Sequence, residues 1–137
     1  MEFLFQKESL MAWNRDRILI VLSALIFVFF GAWLFAVPTA LEAIGIQLTT
    51  PEAFIDVRAT YGGLELGLAT FLLIAQGRAE WHRAAMLLSA LCVGGFGVGR
   101  ILGILIEGQG TNLMWFFFVI EVIWTVLMLW AYRTASD

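Results

Sequence analysis

The sequence predicts an all-α protein, a four-helix transmembrane bundle with both termini on the cytoplasmic side. Three observations carry that class. The 137 residues are 61% hydrophobic and 14% charged, with a mean hydropathy of +0.90, where soluble domains carry about 25% charged residues. The apolar residues gather into four runs, each near the ~20 residues that cross a ~30 Å hydrocarbon core. Lys and Arg occupy alternate flanks of those runs, as in a chain threaded through a membrane in one orientation. The length suits one domain. A net charge of −3 leaves no basic footprint for nucleic acid. The single cysteine, Cys92, excludes an internal disulfide framework and a Cys-based zinc site.

Residues 1–17 read as an interfacial N-terminal segment, with Phe3, Leu4, Phe5, Leu10, Met11 and Trp13 set among charges; a frayed terminus is the plain alternative. Residues 18–137 read as a single four-span domain, with spans at about 18–37, 55–76, 84–107 and 113–132. The first run, Ile18 to Val37, has no charge and ends at Pro38. It is longer than the ~7–15 residues of a signal-peptide apolar region, and no clear cleavage site follows. Thr50-Pro51-Glu52 is a helix start: a cap, a first-turn proline and a first-turn acid. That helix is expected to stop near Gly77, a C-cap candidate. The third span stops at Gly108 and Gly110, and Thr111 or Asn112 can cap the fourth. The longer first connection has room for a short surface helix around Leu41 to Leu48.

Orientation follows the basic flanks. Lys7, Arg15 and Arg17 precede span one, Arg78 and Arg83 lie between spans two and three, and Arg133 follows span four. The other two connections carry no Lys or Arg, so they face outward. Trp13, Trp81 and Trp130 then fall near the inner interface, and Trp33 and Trp115 near the outer one. Trp124 is mid-span and is expected to pack in the bundle or against a partner.

Glycines mark close helix contacts. Gly63-x-x-x-Gly67 in span two and Gly95-x-x-x-Gly99-x-x-x-Gly103 in span three are small-x-x-x-small ridges. They predict spans two and three as a tight pair. Short connections also make spans two, three and four antiparallel neighbours.

Charges inside spans are costly and default to functional hypotheses. Arg58 and Glu65 lie seven residues apart on one face of span two, with Tyr61 between them. Arg100 and Glu107 repeat that spacing in span three, and Glu121 sits in span four. With alternating helix directions, Glu65, Arg100 and Glu121 all fall ~12–13 Å below the outer boundary. The expected pairing is Arg58 with Glu107 at the rim, and Arg100 with Glu65 and Glu121 below. Two arginines face three carboxylates. Either one carboxyl keeps a proton or a bound cation balances it. The cluster is then an ionic clasp that fixes helix register, or a polar pocket open to the outer side. No nucleophile triad, haem ligand pair, metal set or cofactor motif is present, so no catalytic residue is assigned. His82 reads as an interfacial residue and Cys92 as packing.

The stretches RATYGGLELGLA (Arg58–Ala69) and GRILGILIEG (Gly99–Gly108), with Glu121 in the last span, resemble a bacterial family of small four-span membrane proteins catalogued as a domain of unknown function. Its layout is similar to the DoxX-like group. The resemblance implies a four-helix membrane bundle and a multi-pass protein of the bacterial inner membrane. No established activity comes with the family; some DoxX-like proteins are linked to quinone-related redox or to accessory roles in membrane complexes, and with one cysteine and one histidine this chain lacks the residues that would carry the redox chemistry over. The leading functional reading is an accessory subunit or assembly partner of a membrane complex, with a membrane-protein partner or a homo-oligomer. The alternative is a binder or carrier of a small ligand, lipid headgroup, ion or proton. An enzyme using Glu65 or Glu121 as acid or base ranks last.

Overall fold

The computed structural model describes residues 14–135. Most of the proposed interfacial segment, and Trp13 with it, lies outside the described residues. Four helices are long and apolar enough to cross a membrane: α1 (Arg15–Ala36), α2 (Pro51–Ala75), α3 and α4 (Asn112–Thr134). The chain is a multi-pass membrane protein. α3 spans His82–Glu107 and is entered through a 3₁₀ turn, Ala79–Trp81.

The capping chemistry decides where these helices begin. The Asn14 side chain accepts from the Arg17 N–H at 2.8 Å, Thr50 from Ala53 at 3.3 Å, and Thr111 from Met114 at 3.3 Å. Each satisfies an N–H that the first turn leaves orphaned. α3 ends at Gly108 in the left-handed conformation, φ +69°. Gly77 does not do this at the end of α2: Gln76 stays right-handed, and Gly77 donates to the Ile74 carbonyl in a tightened last turn. The first connection holds a 3₁₀ helix, Pro38–Ile44, closed by left-handed Gly45. It lies a few residues before the surface helix expected there.

α2 carries the main irregularity. Its Arg58–Gly63 segment is π-helical, and Leu64 donates to Ala59, five residues back. One extra residue is thereby fitted into a turn of the span.

The helices assemble as two dense pairs, α1 with α2 and α3 with α4, while α2 and α3 touch sparsely. This corrects the expected tight pairing of spans two and three. The glycines at close approaches are different ones. A Cβ on Gly62 would lie 2.8 Å from Phe35 Cβ, and one on Gly31 would lie 3.0 Å from the Leu66 nitrogen, so α1 and α2 meet backbone to backbone. Gly94 sits against Thr125 and Gly97 against Glu121, which joins α3 to α4. Gly67, Gly95, Gly99 and Gly103 meet nothing within 4 Å, and Gly63 meets only its own helix, at the Arg58 carbonyl. Helix rotation decides this. Gly62 and Gly63 are adjacent in sequence but about a quarter-turn apart around the helix, so one faces the partner and its neighbour does not.

The core runs through the half of the bundle nearer the termini. Ile20, Ala24, Leu72, Ala85, Met86 and Met128 are buried there, drawn from all four helices. A polar knot sits inside it. Ser89 Oγ donates to Ser23 Oγ at 3.0 Å, Trp124 Nε1 donates to the same oxygen at 3.3 Å, and Ser23 donates to the Leu19 carbonyl at 3.0 Å. Trp124 therefore packs within the bundle. The end bearing the termini is also tied across helices. Arg17 Nε donates to Gln76 Oε1 at 2.6 Å, His82 Nε2 donates to the Gln76 carbonyl at 3.1 Å, and Trp81 stacks on Phe71 at 5.9 Å. His82 is thus a buried tie between α3 and the end of α2.

Candidate functional site

The second polar region lies toward the opposite end of the bundle, where the two connections without Lys or Arg are. Its centre is an ion pair between α3 and α4. Arg100 Nη2 donates to Glu121 Oε1 at 2.6 Å, and Arg100 Nε donates to Glu121 Oε2 at 3.0 Å. Such two-point geometry is the strongest that arginine and carboxylate form. Local packing sets it up. Gly97, one turn before Arg100, leaves room for the Glu121 stem, and Phe117, one turn before Glu121, lies under the guanidinium at 5.4 Å. Thr125 Oγ1 donates to the Glu121 carbonyl at 2.7 Å. Phe117 also meets Phe30 of α1 edge-on, with ring centroids 6.4 Å apart. Three helices therefore converge on the pair.

The remaining sequence-selected residues do not join it. Arg58 Nε donates to the Phe35 carbonyl at 3.0 Å, at the last turn of α1. Among the described residues it forms no ion pair with Glu107, and Glu107 is exposed. The α1 carbonyls left over at that end are natural acceptors for a guanidinium. Tyr61 is 39% exposed and is not a partner of the ion pair. Glu65 is buried on the α2 face toward α1, with its Cβ against Gly31, and the hydrogen bonds and ion pair of Arg100 among the described residues go to Glu121 instead. Its Oε2 is buried without a hydrogen-bond partner. The expected triad of Arg100, Glu65 and Glu121 is thus a pair plus a separate carboxyl. Equal depth in the membrane brought them level; rotation of α2 onto α1 kept them apart.

A half-open cavity of about 580 Å³ adjoins the pair. Arg100, Gly103, Ile104 and Glu107 of α3 line it together with Met114 of α4, and Gln109 and Thr111 line it from the turn between those helices. Arg100 uses Nε and Nη2 on Glu121, and its Nη1 has no acceptor among the described residues. The cavity therefore offers a cationic donor, an apolar wall and an acidic, amide-bearing rim. Sequence reading found Arg100 and Glu107 but missed Gln109, Thr111 and Met114. The signal available was the short Gly108–Asn112 turn, which holds any polar residue beside the ends of both helices.

A family model matches residues 16–132, and its description is a domain of unknown function, DUF4345. The chain belongs to the DUF4345 family. No curated protein and no solved structure matches it. The DUF4345 match covers all four spans, so the ion pair, the cavity and Glu65 all lie inside the family's domain. No group of three or more His, Cys, Asp or Glu that could hold a metal ion is found among the described residues.

Proposed function

We propose that this DUF4345 protein is a membrane-embedded binding module for a small amphiphile, whose headgroup sits in the Arg100 cavity on the outer side. The observation that carries this is the guanidinium's unused Nη1 edge at a cavity that also has an apolar wall of Ile104 and Met114. An anionic or carbonyl-bearing headgroup matches the donor. The rim of Glu107, Gln109 and Thr111 suits the polar remainder of such a headgroup. Glu121 keeps Arg100 aimed and balances its charge, so the headgroup meets a free N–H edge rather than a bare cation.

The test uses native mass spectrometry of the protein gently extracted from its own membrane, with wild type beside Gly103→Leu. A Cβ at Gly103 meets nothing within 4 Å, so leucine fills the cavity without disturbing the ion pair. A small bound mass in wild type that is lost in Gly103→Leu supports the reading. The same mass retained in both proteins, or absent from both, counts against it.

A second reading is an accessory subunit of a membrane complex. The ridge of Gly95 and Gly99 favours it, because that flat surface meets no other helix among the described residues and suits a close-packed helix from another chain. Gly99→Leu should release a co-purifying membrane protein while leaving the bundle folded. Retention of that partner would argue that the ridge faces lipid.

A further inference from the structure

Glu65 is a buried charged side chain that neither the cavity nor the ion pair uses. It is 9% exposed, and its Oε2 is buried with no hydrogen-bond partner. The cationic groups near its depth are committed elsewhere, Arg100 to Glu121 and Arg58 to the Phe35 carbonyl. The helix packed against it offers nothing in their place: from Ile18 to Ala36, α1 has no titratable residue. On the other two helices the titratable groups toward this end are Arg100, Glu107 and Glu121, and the α2 residues nearest in sequence are Arg58 and Tyr61.

A carboxylate in that position, with hydrocarbon around the bundle, is costly unless its charge is matched. The charge to be matched is one unit. A divalent ion would overshoot and leave the seam with a net positive charge, so the counter-charge is a proton or an alkali cation. The backbone beside Glu65 points the same way. The π-helical turn ends at Gly63, two residues before it. Where such a turn rejoins the α-helix, the hydrogen-bond register slips by one and a carbonyl is released from the ladder. Irregular helix carbonyls next to a membrane carboxylate are the donor set from which transporters build sodium and proton sites.

We propose that Glu65, in the seam between α1 and α2, is a binding site for one exchangeable positive charge, a proton or an alkali cation. The site is separate from the Arg100 cavity, so its fate does not depend on what that cavity holds.

The probe is a hydrophobic carbodiimide on the full chain in detergent, with the modified residue found by peptide mass mapping. A carbodiimide nitrogen takes the acid's proton, and the carboxylate oxygen adds to the central carbon. The acyl group then shifts to nitrogen as a stable acylurea. Only a carboxyl that carries its proton reacts in this way. Melting temperature in sodium, potassium or choline chloride at equal ionic strength is read in parallel, for wild type and for Glu65→Gln.

Labelling of Glu65 that falls as pH rises assigns the proton. Labelling suppressed by sodium or potassium but not by choline assigns an alkali cation. Absent labelling with a sodium- or potassium-specific rise in melting temperature, lost in Glu65→Gln, assigns a retained alkali cation. Labelling that neither pH nor salt alters overturns the proposal, and so does no labelling with equal salt responses in both proteins. Glu121, held by Arg100, should stay unlabelled throughout and serves as the internal control.

Discussion

Alanine at Gly62 and alanine at Gly63 should have opposite effects on stability, although the two positions are adjacent. A Cβ on Gly62 would lie 2.8 Å from Phe35 Cβ, 2.9 Å from Phe35 Cα and 3.1 Å from Phe35 Cδ2. Relaxed carbon–carbon contacts sit at about 3.5–4.0 Å, so the methyl intrudes by roughly 0.7 Å. One of the atoms it meets is α1 backbone, so rotating the Phe35 side chain does not relieve the clash; the helices must part. Overpacking of this kind costs about 1–3 kcal/mol. Alanine recovers about 0.8–1.0 kcal/mol of helix propensity over glycine. The net effect of Gly62→Ala is a loss of about 1 kcal/mol. At Gly63 the nearest atom is the Arg58 carbonyl at 3.5 Å, an ordinary contact. Gly63→Ala should therefore keep the propensity gain of about 0.8–1.0 kcal/mol. The assay is equilibrium unfolding in mixed micelles, titrating SDS into a mild detergent and following tryptophan emission. The midpoint should fall for Gly62→Ala and rise for Gly63→Ala. If both move down together, the α1–α2 approach described here is not the contact that governs the seam.

Other outcomes follow from the same geometry. Arg100→Gln strands a buried carboxylate and should cost about 3–5 kcal/mol, while the double change with Glu121→Gln should cost less than Arg100→Gln alone; a double-mutant cycle in the same unfolding assay reads the coupling. Ser23→Ala removes the oxygen that accepts from both Ser89 and Trp124, and should cost about 0.6–1.7 kcal/mol with a shift in Trp124 emission. Thr111→Ala loses the cap of α4 and should lower stability by about 0.5–2 kcal/mol, with serine at that position restoring most of it.

The legible parts of this chain are those set by local chemistry. Thr50, Pro51 and Glu52 announced the start of α2, Thr111 the start of α4, and Gly108 the end of α3. Each works through its own backbone neighbours. Depth was also legible, because rise per residue is fixed, and it put Arg100 and Glu121 level before any packing was known. Rotation was not. In a soluble helix the apolar stripe marks the buried face. Here lipid and core are both apolar, so Leu64, facing out, and Leu72, facing in, look alike in sequence. The choice of Gly62 over Gly63, and the separation of Glu65 from Arg100, both turn on that missing angle. The π-helical turn adds to the difficulty, since one inserted residue changes the facing of the rest of α2 relative to its start. Gln76 and His82 were missed as a tie for a further reason: their bond runs from a side chain to a main-chain carbonyl, and residue identity says little about such partners.

The Ser23 knot has a consequence for permeation. A serine hydroxyl has one proton to give and two lone pairs to fill. Ser23 gives its proton to the Leu19 carbonyl and fills its lone pairs from Ser89 and Trp124, drawing three helices onto one saturated oxygen. No capacity is left there for a chain of waters, and Met86, Leu72 and Met128 close the surrounding section. Among the described residues, then, the section around Ser23 is sealed by packed side chains, and the Arg100 cavity, lined only by the ends of α3 and α4 and the turn between them, has no lining residue in that section.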